Sequence, residues 1–312
     1  MSTCTAVSRD LDEPMSATAP TARTWLLVEQ PGPWGARALV SSHLDPALGR
    51  ALEAAAQNTG VRVALIRRPG RHADLGTPRL RRVYAAHTTP GGVWLRTATT
   101  NDPSRLLDVD FAALGRGDHR SFDTALQGRP HTGGPLALVC TNGKRDRCCA
   151  LLGRPLAAEL SASGVHGVWE VTHLGGHRFS PTVLVLPHGY AYGRAAAHTV
   201  KEALHGVQEG RIVLEGCRGS SAWERPGQAA ELAVRAATGE YAAETLAVVR
   251  TEGEAPRWEV TVAHLDGRHW RVVVAQGASS PPRPESCGVS VLGSPARMDV
   301  VAVRELTTAL AG

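Results

Sequence analysis

Three of the six cysteines in this 312-residue chain fall within ten residues, in the run Cys140-Thr141-Asn142-Gly143-Lys144-Arg145-Asp146-Arg147-Cys148-Cys149. Two histidines follow, His173 and His177, on either side of a Leu174-Gly175-Gly176 turn. Thiolate and imidazole together are the donor pair of metal centres, and a thiolate alone is a nucleophile for disulfide exchange. Cys148 and Cys149 sit where a helix should begin behind Asp146 or Asn142, and a helix N-terminus favours the thiolate. Lys144, Arg145 and Arg147 add positive charge beside it. No Glu follows His173, so the metalloprotease helix motif is absent.

The spacing separates the metal chemistries. Structural zinc usually takes cysteines about two to four residues apart. Here seven or eight residues lie between Cys140 and the Cys148-Cys149 doublet. A 2Fe–2S cluster divides its ligands between two irons, and two histidines can replace two cysteines on one of them. A wide cysteine pair and a tight histidine pair suit that division better than zinc, which stays as the alternative cofactor. Two other functions stand beside it: a zinc-stabilised interaction module with the C-terminal part as docking surface, and a thiol–disulfide oxidoreductase with Cys148 or Cys149 as nucleophile. The oxidoreductase lacks a Cys-x-x-Cys pair and leaves His173 and His177 without a role.

Plainer readings compete at each residue. Cys149 shares helical spacing with Leu152, Leu156 and Leu160 and could be a small core residue, which would leave Cys148 as the ligand. Side chains of adjacent residues diverge, so at most one of the doublet is expected to ligate. Cys4, Cys217 and Cys287 are dispersed and read as structural or incidental. The Arg67, Arg68, Arg71, Arg79, Arg81 and Arg82 stretch reads as a solvated basic face.

The elements that must position these groups alternate between strand and helix. Residues 25–29, 61–66, 82–87 and 93–97 read as strands, with helices over 45–59 and 105–114. The order recurs: strands at 136–139, 168–172, 182–186 and 190–192, with helices over 146–163 (kinked at Gly153–Pro155) and 195–207. Cys140 thus ends a strand, and the carboxyl edge of an open sheet is where α/β proteins place ligands. The expected fold is α/β: two tandem halves, each a mixed sheet with flanking helices, and a small C-terminal α+β appendage. Residues 1–23, polar and rich in Ser, Thr, Ala and Pro, read as a flexible leader. In the appendage, 228–237 is a helix and 258–263 with 269–275 a strand pair. Residues 279–286 form a Pro-rich linker before a last strand and 306–310.

Composition narrows the partners. Apolar residues are 43% and charged residues 20%, enough for a core and against wholesale disorder. No apolar run approaches the ~18 residues of a membrane span, and no signal peptide is visible, so a soluble cytoplasmic protein without membrane contact is expected. The net charge of +5 is mild, and aromatics at 4% leave little for a base-stacking surface, so no nucleic-acid partner is expected.

With Val168-Trp169-Glu170-Val171-Thr172 before His173, Leu184-Val185-Leu186-Pro187-His188-Gly189 and Tyr192-Gly193-Arg194 after His177, and Cys217-Arg218-Gly219 beyond, the chain resembles the sucrase/ferredoxin-like family over roughly residues 24–240. The resemblance implies thioredoxin-like halves: a cofactor-free one over 24–130 and a cluster-binding one over 131–214, with 215–312 as the appendage. It implies a 2Fe–2S cluster held by Cys140, His173, His177 and one of the doublet. Family spacing favours Cys149, with Cys148 as alternate. The expected function is one-electron transfer or redox sensing with a reductase or acceptor protein, Lys144, Arg145, Arg147 and Arg178 orienting that partner. An electron carrier is expected rather than a turnover enzyme. No carboxylate pair is placed for glycoside hydrolysis, so the sucrase half of the family name finds no support.

Overall fold

The uninterrupted apolar run Trp25-Leu26-Leu27-Val28 suits a strand covered on both faces, and in the computed structural model it forms the buried centre of β1 (Thr24–Glu29). The structure describes residues 3–70, 79–289 and 291–306. Along β1 the side chains alternate: Leu26 and Val28 enter one core, Trp25 and Leu27 another on the opposite face. β1 pairs in parallel with β2 (Val61–Arg67) and antiparallel with β3 (Arg81–His87), which pairs antiparallel with β4 (Trp94–Thr100). α2 (Pro46–Ala56), α3 (Phe111–Gly115) and α4 (Arg120–Leu126) close the first of these cores.

The same arrangement follows once more. β6 (Leu136–Cys140) pairs in parallel with β7 (Val168–Val171) and antiparallel with β8 (Val183–Leu186), and β8 pairs antiparallel with β9 (Tyr190–Tyr192). With the short β5 (Arg129–Pro130) and β10 (Cys217–Ser220) at its edges, one mixed ten-stranded sheet runs β10-β9-β8-β6-β7-β2-β1-β3-β4-β5. The two four-stranded units meet at an antiparallel β2–β7 junction, Ile66 opposite Val171 and Arg67 opposite Glu170. α5 (Arg147–Ala162) and α6 (Ala197–Gln208) flank the second unit.

α7 (Arg225–Thr238) packs on a separate antiparallel sheet of β11 (Leu246–Glu254), β12 (Arg257–His264), β13 (His269–Ala278) and β14 (Ala296–Leu306). The fold is therefore mixed α/β with a large mixed sheet, a second antiparallel sheet and flanking helices. Among the described residues no helix is long and apolar enough to cross a membrane.

Several expectations change. The stretch read as a flexible leader carries α1 (Cys4–Asp10) and buries Cys4, Thr5, Ser8, Ala17, Ala19 and Ala22. Ala19 and Ala22 pack into the core of Trp25 and Leu27, and Ala17 packs with Ala229 and Val234, without any long apolar run to announce them. The appendage does not begin cleanly at residue 215, since β10 is an edge strand of the large sheet. The helix expected over 105–114 divides into a 3-10 turn (Pro103–Asp108) and α3, separated by Asp110, which caps α3 by accepting from the Ala113 amide at 2.9 Å. β11 has no counterpart in the sequence reading. Arg67 and Arg81 are buried, so the basic stretch is not one solvated face; Arg71 and residues 307–310 lie outside the described residues.

Candidate metal centre

The site grows from the end of β6. Its five residues are all buried, and alternation sends Leu136, Leu138 and Cys140 to the face that holds Trp169 and Val171. A turn through Asn142 leads to Asp146, whose Oδ1 accepts from the Cys148 amide at 2.8 Å and so caps α5. α5 runs unbroken through Pro155 and lies close on the strand end: a Cβ on Gly153 would stand 2.1 Å from the Cys140 carbonyl oxygen. Only glycine lets the helix approach this far, and that approach sets which way its first turn faces.

Cys149 therefore joins Cys140, and Cys148 does not. Cys140, Cys149 and His173 each bring a ligand atom within 4.8 Å of the others'. Cys149 Sγ lies 4.0 Å from His173 Nδ1 and accepts from Ser180 Oγ at 3.9 Å. The Cys149 thiol donates to Cys140 and holds the Cys140 thiol well below its ordinary range despite burial, with His173 adding to the effect. The same contact pushes Cys149 up. Metal binding here would displace whatever protons the two thiols hold.

β7 delivers the histidines. His173 follows its end, and its carbonyl accepts from Arg62 Nη2 at 2.8 Å. Gly175 and Gly176 turn the chain with φ of +93° and +67°, and His177 opens a 3-10 turn. The Gly176 position is closed from below: an added Cβ would meet the Arg218 guanidinium at 2.1 Å. That guanidinium is buried, donates to Gly175 O at 3.2 Å and Thr18 Oγ1 at 3.0 Å, and lies over the Phe179 ring. Burial lowers Arg218 to about 9, which leaves it charged at neutral pH. Its fixed positive charge beneath the turn is a feature that residue spacing alone did not reveal.

His177 lies against His173, ring centroids 5.3 Å apart, but outside the three-donor group. Its Nε2 donates to Glu285 O at 2.6 Å and stands 3.6 Å from Asp146 Oδ2, while its Nδ1 is buried without a partner. Burial depresses its proton affinity, which keeps the ring neutral. A neutral imidazole tied at one nitrogen and bare at the other has the form of a metal ligand. Cys140, Cys149 and His173 could thus hold a metal, with the bare Nδ1 of His177 beside that group.

Cys148 points elsewhere, to Cys4 and Cys287, with Asp146 beside them. The thiol of Cys4 draws Cys148 down to about 5. Cys4 and Cys287 are thus not the incidental cysteines that their isolation suggests; Cys217 remains apart, its burial raising the thiol to about 12. Of the cations expected to orient a partner, Lys144, Arg145 and Arg147 are exposed. Arg178 is instead engaged by Glu13 at 2.8 Å.

A family model described as sucrase/ferredoxin-like matches residues 15–219, more than half of the chain. Comparison with curated proteins and with solved structures returned no match.

Proposed function

The chain belongs to the sucrase/ferredoxin-like family, and on that premise we propose that it is a one-electron carrier or redox sensor of the cytoplasm whose 2Fe–2S cluster is held by Cys140, Cys149, His173 and His177. The observation that carries the reading is the convergence of Cys140, Cys149 and His173 within 4.8 Å, with the bare Nδ1 of His177 beside them. When bound, such a cluster takes up and releases single electrons at a potential above that of an all-cysteine cluster. The protein's part is to hold and tune. Cys140 and Cys149, both 0% exposed, keep water from the sulfur side. Glu285 O fixes the tautomer and orientation of His177. Arg62 and Arg218 supply fixed positive charge that favours the reduced state.

The thiol-exchange reading is disfavoured by that burial, because a nucleophilic thiolate has to reach its disulfide. Zinc on the same donors remains the second reading, favoured by the close mutual approach of three of them. We also read the two β4-β3-β1-β2 and β9-β8-β6-β7 units as thioredoxin-like halves, a cofactor-free one over about 24–130 and a cluster-bearing one over 131–214. Their matching strand order and directions support it. Exposed Lys144, Arg145 and Arg147 form the face we assign to an acidic reductase or acceptor protein.

Purification without oxygen, followed by iron, sulfide and zinc analysis and a visible spectrum, tests the reading. A brown protein with iron and acid-labile sulfide in equal amounts supports it. A colourless protein whose zinc is lost on replacing Cys140 or Cys149 contradicts it. Cys149→Ser should bleach the colour and Cys148→Ser should not.

A further inference from the structure

Three cysteines far apart in sequence meet on the other side of the α5 N-terminus. Cys4 Sγ lies 3.5 Å from Cys148 Sγ and 3.4 Å from Cys287 Sγ, and Cys148 Sγ lies 3.0 Å from Cys287 Sγ. Cys4 and Cys148 are buried, and Cys287 is half-buried. A disulfide would use two of these sulfurs and strand the third. A triangle in which each sulfur touches both others is the face that three thiolates present to one soft cation.

A fourth donor stands over the triangle. Both carboxylate oxygens of Asp146 lie 4.0 Å from Cys4 Sγ, and the side chain is fully buried. Its Oδ1 accepts from the Cys148 amide at 2.8 Å, and its Oδ2 accepts from the Cys287 amide and Ser286 Oγ at 2.9 Å. Oδ1, with one backbone donor, keeps a further lone pair for a cation. These hydrogen bonds orient the carboxylate as outer partners orient a metal ligand.

We propose that Cys4, Cys148, Cys287 and Asp146 form a structural zinc site. Binding Zn²⁺ displaces the protons still held by the three thiols, and no electron changes hands. The filled site carries a net double negative charge, which the neighbouring Lys144, Arg145 and Arg147 offset. These cations wall a cleft of about 530 Å³ that Cys4, Asp146 and Cys287 also line, so the ion has a path from solvent.

The site has a purpose that the fold makes explicit. It ties the N-terminal helix α1 and the loop before β14 to the start of α5, and both of these segments touch His177. Thr5 Oγ1 donates to His177 O at 3.0 Å, and Glu285 O accepts from His177 Nε2. Zinc would thus clamp the two supports of one histidine. Cys4 and Cys287 both fall outside the family-matched residues 15–219, whereas Asp146 and Cys148 lie within them. The clamp uses none of the four donors assigned to the cluster, and it stands or falls separately from that assignment.

The full-length protein, purified without oxygen, is incubated with about one equivalent of zinc sulfate, desalted and analysed for metals. We expect about one zinc per chain with iron unchanged. X-ray absorption at the zinc edge should show three sulfurs at about 2.3 Å and a shorter oxygen shell. Cys4→Ser and Cys287→Ser should each abolish or strongly reduce zinc retention, since each removes one sulfur ligand, while leaving iron and colour in place. A measurement on the unaltered chain covers the case in which a variant does not fold. Zinc should protect Cys4, Cys148 and Cys287 from alkylation, as read by peptide mass, and a chelator should restore their reaction. Zinc retained equally by both variants, an edge spectrum dominated by imidazole, or absence of retained zinc would overturn the assignment. So would a Cys148–Cys287 peptide lighter by two hydrogens in the purified protein.

Discussion

Arg62, on β2 of the first four-stranded unit, donates to the carbonyl of His173, in the second, across 2.8 Å. The guanidinium also stands 5.2 Å above the Trp25 ring, and Cys140 is near enough to act on its charge. The unit without metal-binding cysteines thereby grips the segment that carries one proposed ligand. Arg62→Met should lower the reduction potential, because a positive charge that favours the added electron is gone. A loss of about 1 kcal/mol of interaction corresponds to roughly 40 mV for one electron. Voltammetry of the two proteins at one pH checks it, and an unchanged or higher potential would show that Arg62 only supports the fold.

The junction between the units rests on a buried pair. Arg67 and Glu170 face each other across β2 and β7 at 2.8 Å, with side chains 3% and 5% exposed, and Thr141 Oγ1 donates to the same carboxylate at 2.8 Å. Arg67→Met strands a buried carboxylate and should cost about 3–5 kcal/mol of stability. The double variant Arg67→Met/Glu170→Met should recover most of that loss, since well-packed apolar replacements are often neutral. Denaturant unfolding of the single and double variants measures both, and equal losses would mean that the pair is not coupled.

Acid should weaken the first unit through His87. This ring is 6% exposed, stacks on Trp94 and contacts Thr24 Oγ1 at 2.8 Å, and burial pushes it down to about 4. The unfolded chain binds the proton near pH 6.5, so between roughly pH 6.5 and 4 unfolding takes up a proton and stability falls as pH falls. The share from His87 should be roughly 1–3 kcal/mol across that window. Unfolding midpoints at about pH 7 and 5 should differ less in His87→Asn than in the parent, and parallel slopes would refute the assignment.

Much of this arrangement can be read from residue order. Short β-rich runs around Cys140, His173 and Tyr190 become β6 to β9, and Asp146 begins α5 where capping chemistry places it. The choice between Cys148 and Cys149 cannot be read that way. Both lie in one helical turn, and the contact of Gly153 with the Cys140 carbonyl decides which faces the strand. The second thiol group is hidden for another reason: Cys4 and Cys287 are separated from Cys148 by 144 and 139 residues, and no local pattern reports such a meeting. β11 escapes because only Leu246 of its nine residues is buried, so the apolar alternation of a half-buried strand is missing.

The proposed histidine ligation should show itself in proton coupling. A metal-bound imidazole of the oxidised centre can lose its outer proton, so the potential should fall as pH rises. The limit is about 59 mV per pH unit for one proton and one electron. The proton on His177 Nε2 is the one that Glu285 O accepts. His173→Cys and His177→Cys should each lower the potential and weaken its dependence on pH. A potential independent of pH in the parent protein would remove the paired imidazoles from the account.

The most direct test is pulsed paramagnetic resonance of the reduced protein carrying ¹⁵N-labelled histidine. Cys140 and Cys149 on one side and His173 and His177 on the other predict the signal of a reduced 2Fe–2S cluster coupled to two imidazole nitrogens. One coupling should vanish in each single His→Cys variant. A reduced cluster without nitrogen coupling, or a protein that binds zinc alone at these four residues, would contradict the assignment.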